Sequence, residues 1–449
     1  MSGHEWRAQL LAAGTGPALV TAVSRHLREL GVTTVECCYS DLLGALIGRT
    51  MTVPRFLAAL ETGFAMPVAT LAWNVAGDIE PLEFVSAATG FPNMRACPDP
   101  ATLCLAAHAP ATALCLCDTR TAAGGPVALD SRQLVRSAAG RLAALGVSIT
   151  LASEVEFYLC GESREPLTTD HKCFSLELAA EAGDTLADMR VTLAAAGIEV
   201  ESVQTEYGPG QFEINTSPGS PLAAADSAVI LKFLVKRVAR RHGLRATFMA
   251  KPFQAGSASG MHVHQAVASG ADAAAGPVHG LPPTTAGYLA GLLAHQPELT
   301  AMCMPTVTAY KRMADYSMAA NRVVWGVDNR TAMIRVIPED PVRTESRIGS
   351  ADANPYHLIA SCLAAGASGI QERLTPPPPV AADAYQLAAA PRLPGSLAEA
   401  AALLRSSEFA RKSFGDTFVD VLATVCQRET ELFGAAVTDW ERRRYFDLG

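Results

Sequence analysis

The stretch Ser153-Glu154-Val155-Glu156-Phe157 stands inside an apolar run, residues 149–160, that has the pattern of a β-strand. Because side chains alternate along a strand, Glu154 and Glu156 share one face, while Val155 and Phe157 point to the other face and can pack on a core. The two carboxylates are then roughly 7 Å apart. Paired acids repel each other unless a positive charge lies near them, so the pair indicates either a cation site or a solvated strand edge.

Regular elements are predicted on both sides of this strand. Capping residues and glycines bound the helices, and apolar or β-branched runs predict the strands. We predict helices near 131–145, 184–196, 221–242 and 355–369, and strands at 198–205, at 211–215 and around 260–265. Residues 267–284 are rich in Ala, Gly and Pro, which predicts a surface loop.

The chain before residue 125 has a different pattern. After a helix at 16–30, strands are predicted at 32–39 and through residues 47–51, and short strands with turn residues between them continue to 118. Gly124-Gly125-Pro126 is typical of a linker. We therefore predict an α+β protein with two domains, residues 1–125 and 126–449.

Charge and composition exclude some classes of function. The 449 residues carry 36 Lys and Arg against 44 Asp and Glu, a net charge of −8, which argues against nucleic-acid binding. Neither a signal-peptide pattern at residues 1–6 nor an apolar run of the roughly 20 residues needed to span a membrane is present in the sequence. The eleven cysteines are irregularly spaced, as is typical of reduced thiols. We expect a cytoplasmic protein without membrane contact.

Three further pieces of chain carry groups that could share the face of Glu154 and Glu156. They hold Glu206 and Glu213, His262 and His264, and Glu345. Carboxylates with one or two histidines suit Mg²⁺ or Mn²⁺ rather than structural zinc. The residues alone leave two alternatives open, a divalent-metal site or separate solvated acids and structural histidines.

An arginine-rich segment supplies the opposite charge. Its members are Arg312, Arg330, Arg335, Arg343 and Arg347. Arginine binds phosphate and carboxylate through two parallel hydrogen bonds. Metal ions with arginines suit phosphoryl transfer, because both stabilise the charge of the transferred group. Surface ion pairs with Glu339, Asp340 and Glu345 are the alternative.

Seven ordered motifs resemble the glutamine synthetase family. They are Ser-Glu-Val-Glu-Phe at 153–157, Glu-Tyr-Gly-Pro-Gly-Gln-Phe-Glu-Ile at 206–214, Met-Ala-Lys-Pro at 249–252, Gly-Met-His-Val-His at 260–264, Asp-Asn-Arg-Thr at 328–331, Glu-Ser-Arg at 345–347 and Ala-Asn-Pro-Tyr at 353–356. The resemblance covers most of the chain from about residue 32. It implies an N-terminal β-grasp domain and a catalytic domain with a curved antiparallel sheet and helices. It also implies a homo-oligomer, a dodecamer of two hexameric rings with active sites shared between subunits.

The resemblance also assigns the metals and the nucleotide. Two or more Mg²⁺ (or Mn²⁺) ions are expected in each site. The residues that match the ligands of one ion are Glu156, Glu206 and Glu213, and those that match the ligands of the other are Glu154, His262 and Glu345. ATP is the expected co-substrate, and the residues that match its phosphate contacts are His264, Arg330, Arg335 and Arg343.

The substrate residues follow from the same resemblance. Arg312 matches the arginine that holds the amino-acid carboxylate, and Arg347 matches the arginine near the carboxylate to be phosphorylated. Asp41 matches an aspartate that reaches a neighbouring subunit's site and attracts the ammonium or amine. Asp41, Arg330 and Arg347 are therefore the expected catalytic residues.

Two departures from the family pattern concern the substrates. Ammonia-using members carry a glutamate six residues after the arginine matched by Arg312, and this chain has Met318 there. Its loss argues against ammonia, and an apolar side chain suits an alkyl amine. The Asn-Gly pair that contacts glutamate is replaced by Ser257-Ala258, so Ala258 is an expected substrate contact. The segments at 325–330 and 440–445 look more like the amine-using branches.

The implied reaction has two steps: ATP phosphorylates a side-chain carboxylate, and an amine then displaces phosphate. We therefore predict an ATP-dependent ligase that joins the γ-carboxylate of glutamate to a small amine through γ-glutamyl phosphate. The alternatives are a glutamine synthetase that uses ammonia, a catalytically silent structural or regulatory relative, and a phosphotransferase that acts on a guanidino group.

Overall fold

The structure is a computed structural model that describes residues 14, 16–79, 82, 85–106, 109–270, 272 and 276–448. The first residues, on which the expected absence of a signal peptide rests, lie outside this part, as do 271 and 273–275 of the predicted loop. No helix in the described part is long and apolar enough to cross a membrane. The eleven cysteines are free thiols, as predicted.

The first part of the chain forms a mixed sheet. Its strands are β1 (Thr34–Ser40), β2 (Leu46–Thr52), β3 (Phe64–Pro67), β4 (Asn93–Pro98), β5 (Cys104–Leu105) and β6 (Thr112–Arg120), in the order β2-β1-β6-β4-β3 with β5 also on β6. Strands β1 and β6 run parallel, and the other pairs are antiparallel. Helices α1 (Pro17–Glu29) and α2 (Val53–Thr62) bury Leu27 and Phe56 completely. The α+β fold class and the β-grasp character of this part are confirmed.

The second sheet is larger and mostly antiparallel. Its strands are β7 (Val147–Cys160), β8 (Val200–Thr205), β9 (Gln211–Thr216), β10 (Arg245–Thr247), β11 (Met261–Ser269), β12 (Trp325–Val327), β13 (Ile334–Ile337) and β14 (Arg343–Ser346). The order is β12-β13-β14-β11-β7-β9-β8, with β10 on β7. Only the β12–β13 pair is parallel among these described pairs. The expected antiparallel catalytic sheet is thus present.

Helices accompany this sheet, and three of them pack on its central strands. The helices are α3 (Ser131–Ala144), α4 (Leu176–Glu181), α5 (Gly183–Ala195), α6 (Pro221–Arg241), α7 (Pro283–His295), α8 (Thr300–Cys303), α9 (Pro355–Gln371), α10 (Leu397–Ser406), α11 (Glu408–Phe414), α12 (Asp416–Ala435) and α13 (Asp439–Tyr445). Helices α3 and α6 pack on β7, and α7 packs on β11. Val155 and Phe157 are fully buried, and the Phe157 ring centroid is 6.1 Å from that of Phe212.

The predicted bounds of the loop at 267–284 are wrong at both ends. Strand β11 continues to Ser269, paired with Val147 of β7, and α7 begins at Pro283. The small residues at 266–269 form the end of a strand because the long β7 offers them backbone partners.

Polar contacts join the two sheets. Asp130 caps α3 by accepting from the Gln133 N–H at 2.9 Å and also accepts from the Thr119 N–H of β6 at 2.6 Å. Asn354 caps α9 and donates to the carbonyl oxygen of Asp41 at 3.2 Å. These contacts fix the first sheet against the helices that support β7. A domain boundary at residue 125 stays a prediction.

Candidate active site

The register of β7 brings the predicted acids together. Glu154 lies opposite His262 of β11 and Asn215 of β9, and Glu156 lies opposite Glu213 of β9. Side chains directly opposite in an antiparallel pair are about 4.5–5.5 Å apart at Cβ. Residues that are far apart in sequence therefore share one polar face, opposite to the buried Val155 and Phe157.

Strand β14 adds Glu345 to this face. In register, Glu345 lies between His264 of β11 and Arg335 of β13. Its side chain is fully buried and accepts a hydrogen bond from Arg335 at 3.0 Å and another from Arg347. Burial alone would raise the pKa of Glu345, but Arg347 and the nearby histidines outweigh it and lower the pKa. Glu345 is thus a buried anion held by cations.

The two histidines converge on Glu154. The Nε2 atom of His264 is 2.7 Å from one carboxylate oxygen of Glu154, and the Nδ1 atom of His262 is 3.1 Å from the other. The same Nδ1 atom is 3.4 Å from Glu345. Although burial opposes ionisation, the two histidine contacts hold the pKa of Glu154 well below its usual range. Burial, followed by Arg347, lowers the pKa of His262.

The other three acids lack such compensation. Burial and the charge of Glu206 raise the pKa of Glu156 to about 8, although the Gly260 N–H donates to it at 2.9 Å. Burial, followed by Glu154 and Glu156, raises the pKa of Glu213 well above its usual value. Burial also raises the pKa of Glu206. These three carboxylates, of which Glu156 and Glu213 are buried and Glu206 is half-buried, repel one another and form a place where a cation would bind favourably.

The donor set fits a hard divalent cation. Ligand atoms of Glu154, Glu213 and His262 lie within 4.8 Å of one another, and so do those of Glu154, His264 and Glu345. Carboxylate oxygens with imidazole nitrogens suit Mg²⁺ and Mn²⁺. The expected division of the acids between two ions stays a prediction, because Glu154 belongs to both groups.

A cavity of about 430 Å³ opens over this face. Arg312 and Arg347 line it and are only 3% and 6% exposed. The Nε atoms of both are buried and have no hydrogen-bond partner among the described residues. Buried guanidinium groups with free donors suit an anionic ligand. A Cβ at Gly260 would lie 2.8 Å from an Arg312 nitrogen and 2.8 Å from the His262 Nε2 atom, so any larger residue there would displace one of these two side chains.

A second cavity, of about 320 Å³, shares Glu154 with the first as a lining residue. His264 and Arg343 line this second cavity, whereas Arg330 and Arg335 line the first. The four expected phosphate contacts are therefore distributed over two cavities. Arg343 donates to Glu339 at 3.2 Å. In the present structure this arginine therefore forms one of the surface ion pairs that were the alternative to phosphate binding.

Asp41 lies outside both cavities. It lines a separate one of about 390 Å³ together with Lys232 and Asp352. Its carboxylate accepts from the N–H groups of Leu43 and Ala45 at 3.0 and 2.8 Å, and burial raises its pKa to about 6. The expected role of Asp41 in a neighbour's site stays a prediction.

The two departures from the family pattern lie in the first cavity. Ala258 and Met318 both line it, and the Met318 carbonyl accepts from Arg347 at 3.2 Å. Sequence reasoning missed Gln204, which lines this cavity, and Gln211, which contacts one of its acids. Gln204 donates to Glu213 at 2.7 Å, and Gln211 donates to Glu156 at 3.2 Å.

Three more residues of the first cavity were missed, namely Cys173, Phe174 and Tyr207. The alternation of β8 and β9 could have placed the two glutamines on the polar face, since each lies an even number of residues from a predicted acid. No comparable signal marked Cys173 or Phe174, which lie in an irregular segment before α4.

Comparisons with known proteins show which proteins the chain is similar to. Residues 128–445 match the model of the glutamine synthetase catalytic domain. The chain is 34% identical to a glutamate–isopropylamine ligase of Pseudomonas sp., over 96% of this chain and 98% of that protein. It is 31% identical to the gamma-glutamylethanolamide synthetase GlnA4 of Streptomyces coelicolor over the full length of both. A solved complex of GmaS with ADP superposes with a TM-score of 0.84 and 28% identity, over 95% of this chain and 99% of that one.

Proposed function

Because the chain belongs to the glutamine synthetase family, we propose that it is an ATP-dependent ligase that joins an amine to the γ-carboxylate of glutamate. The observation that carries this proposal is the position of Glu154. It lines two cavities, one of which is also lined by His264 and Arg343 and the other by Arg312 and Arg347. Two anionic substrates can thus approach the acids around Glu154 from different sides, as transfer of a phosphoryl group between the two substrates requires.

In the first step, an oxygen of the γ-carboxylate bonds to the γ-phosphorus of ATP, and the bond from that phosphorus to the bridging oxygen breaks. The products are ADP and γ-glutamyl phosphate. We assign Arg312 to the carboxylate of the amino acid, with Ala258 beside it. Arg347 and Arg330 stabilise the transferred group, because guanidinium donors match phosphoryl oxygens. Arg335, Arg343 and His264 hold the remaining phosphates.

In the second step, the amine nitrogen bonds to the carbonyl carbon, and the bond from that carbon to the phosphate oxygen breaks. Phosphate leaves and the nitrogen loses a proton, which gives the amide. A carboxylate by itself is a poor electrophile because oxide is a poor leaving group, and phosphorylation removes this obstacle. Asp41 of a neighbouring subunit is assigned to attract the amine.

The acidic face is assigned to divalent cations. Glu156, Glu206 and Glu213 would hold one Mg²⁺ or Mn²⁺ ion, and Glu154, His262 and Glu345 would hold another. Such ions neutralise phosphate charge when bound. Without them the three repelling acids would disfavour the approach of ATP, so this chain's residues require the cations for binding as well as for chemistry.

We further propose a cytoplasmic dodecamer of two hexameric rings. The family resemblance supports this assembly, as does the position of Asp41 away from its own chain's catalytic cavity.

The test is phosphate release from ATP by the full chain with Mg²⁺ and glutamate, across ammonia, alkylamines, polyamines and amino alcohols. We expect release that depends on both glutamate and an amine, together with formation of the amide by mass spectrometry. Highest turnover with ammonia would instead favour a glutamine synthetase. No release with any amine would favour a silent relative, and release with a guanidino compound in place of an amine would favour a phosphotransferase.

A further inference from the structure

We propose that Asp328 and Glu339 compete with the nucleotide phosphates for the arginines that bind them, and that these two acids thereby set how tightly the nucleotide is held. The inference rests on the ligase function proposed above, which assigns Arg335 and Arg343 to the phosphates. It adds two residues that have no part in the metal and substrate assignments made there. We call Asp328 and Glu339 the competing acids.

Asp328 contacts the guanidinium group of Arg335. The Nε atom of Arg335 donates to an oxygen of the Asp328 carboxylate at 2.9 Å, and the Nη2 atom donates to the same oxygen. The Nη1 atom donates to Glu345 at 3.0 Å. Each guanidinium nitrogen thus contacts a carboxylate, whereas a bidentate phosphate contact uses two of these nitrogens. A phosphate that takes up the same donors has to displace one of the two acids.

Asp328 is the acid that a phosphate displaces more easily. Glu345 is fully buried, so the loss of its contact with Arg335 would leave a buried anion with less compensation. The Asp328 side chain is 63% exposed, so water can replace the guanidinium group at little cost. The hydrogen bond and the charge of Arg335 lower the pKa of Asp328, which is therefore an anion at neutral pH.

The backbone holds the Asp328 carboxylate beside the guanidinium group. Asp328 has a φ of 48°, a left-handed conformation that Asp and Asn tolerate better than most residues. Its N–H donates to the Val336 carbonyl at 2.8 Å, and the side chain of Asn329 donates to the Val380 carbonyl at 3.0 Å. The turn between β12 and β13 is therefore fixed, and the carboxylate leaves the arginine by rotation of its own side chain.

The competing acids also reach the other two arginines assigned to phosphate. A nitrogen of Arg330 is 3.9 Å from the Asp328 oxygen that Arg335 contacts, so one carboxylate lies within ion-pair distance of two arginines. Both Nη atoms of Arg343 donate to one oxygen of Glu339 at 3.2 Å, and the Glu339 side chain is 73% exposed. Each of the three arginines thus lies next to an exposed acid.

This competition lowers the affinity for the nucleotide by a modest factor. Exposed ion pairs are weak, and the loss of one corresponds to a factor of about two to five in a binding constant. The carboxylates also repel the phosphates directly, which acts in the same direction. The competing acids therefore weaken the retention of ADP, which favours its exchange for ATP after each turnover.

The test measures the binding of ADP rather than turnover. Asp328→Asn removes the charge, keeps an oxygen for Arg335 and suits the same φ. Glu339→Gln makes the matching change beside Arg343. Titration calorimetry of the full chain with ADP and Mg²⁺ should give a Kd about threefold lower in each variant than in the wild type. In the double variant the Kd should be about tenfold lower, because the two ion pairs involve different arginines.

Two control variants separate competition from a general effect of charge. Asp420→Asn removes the acid of an exposed ion pair with Arg411 on α12, and Asp420 is not among the residues that line either catalytic cavity. This variant should leave the Kd for ADP unchanged. Glu201→Gln removes a charge from the lining of the second cavity without freeing an assigned arginine, and it should change the Kd less than Asp328→Asn does.

Steady-state kinetics give a second readout. In Asp328→Asn the KM for ATP should fall about threefold while the KM for glutamate stays the same, because glutamate is assigned to Arg312. Unchanged or weaker ADP binding in Asp328→Asn, or an equal effect of Glu201→Gln, would overturn the inference and leave the ligase function standing. Absence of ADP binding by the wild type would instead refute the proposed function itself.

Discussion

Glu156 is held by the fold in an environment that disfavours its charge. Glu156 lies directly opposite Glu213 in the β7–β9 pair and close to Glu206. Burial and the charge of Glu206 raise the pKa of Glu156 to about 8. The Gly260 N–H and the Gln211 amide orient the carboxylate, but neither supplies a full positive charge. A residue so placed contributes through the cation it can bind rather than through packing.

Glu156→Gln should therefore lower the enzymatic activity without lowering the stability of the fold. The amide keeps the size and the hydrogen-bond acceptor but removes the charge, so phosphate release should fall at least about a hundredfold. The thermal unfolding temperature in EDTA should stay the same or rise, because one repelling charge is removed. Glu162→Gln, at an exposed turn position, is the control. Near-normal turnover of the Glu156 variant would contradict its role as a metal ligand.

Single residues were predictable where one rule decides their position. Strand alternation placed Glu154 and Glu156 opposite to Val155 and Phe157, and the structure has them so. The hydrogen bonds of Gln204 and Gln211 were not predictable, because a glutamine on a polar face has many possible partners. The ion pair of Arg343 with Glu339 was one of the two alternatives that the sequence left open for the arginines, and the structure has it.

At the scale of elements, the register of β7 makes the site. Alternation says which residues share a face, but it does not say that His262 lies opposite Glu154 or that Glu345 lies opposite His264. The residues of the first pairing are more than a hundred positions apart in sequence, and those of the second are about eighty apart. Both pairings therefore depend on tertiary packing. The family motifs indicated that the segments meet, which is why the set of residues was predictable and its contacts were not.

Helix α9 contains a histidine whose burial affects stability. His357 is 1% exposed, its Nε2 atom is 3.0 Å from the Ser131 hydroxyl of α3, and its ring packs edge-on against Phe418. Burial lowers the pKa of His357 to about 3 from a usual value of 6.5. Below pH 6.5 the unfolded chain takes up a proton that the folded chain refuses, so stability falls as the pH drops towards 3.

His357→Gln should reduce this acid sensitivity. Between pH 6.5 and 5 the buried histidine alone should lower the free energy of unfolding by about 2 kcal/mol, and glutamine cannot titrate. The measurement is the drop in thermal unfolding temperature between pH 7 and pH 5, which should be smaller in the variant than in the wild type. His171→Gln, at an exposed position, should behave as the wild type. Equal drops in His357→Gln and wild type would contradict the linkage.

At the scale of the whole molecule, the first sheet is attached to the catalytic helices through a buried ion network. Arg132 of α3 contacts Asp226 of α6 at 2.9 Å and Asp99 at 3.0 Å, and it also contacts Asp118 of β6. With the Asn354 contact to Asp41, this network fixes the Asp41 turn beside a cavity that is separate from the chain's own catalytic cavity. The proposed sharing of sites between subunits rests on this separation of Asp41 from its own chain's catalytic cavity.

Sharing of sites predicts complementation between two inactive variants. Asp41→Asn retains an oxygen for the N–H groups of Leu43 and Ala45 but removes the charge, and Glu156→Gln disables the metal site. Each variant alone should have little activity. Mixed oligomers formed by co-expression in equal amounts should recover up to about a quarter of wild-type activity, because that share of interfaces combines two intact halves. No recovery in mixed oligomers, with both variants assembled, would contradict the assignment of Asp41 to a neighbour's site.

The central claim is that this chain activates the γ-carboxylate of glutamate by phosphorylation. The most direct measurement uses glutamate labelled with ¹⁸O in the γ-carboxylate, together with ATP, Mg²⁺ and an alkylamine. The ¹⁸O content of the released phosphate is measured by mass spectrometry. If γ-glutamyl phosphate forms, its bridging oxygen comes from glutamate and leaves with phosphorus, so each phosphate should carry one ¹⁸O atom for each amide formed. Unlabelled phosphate, released while the amide accumulates, would contradict the account.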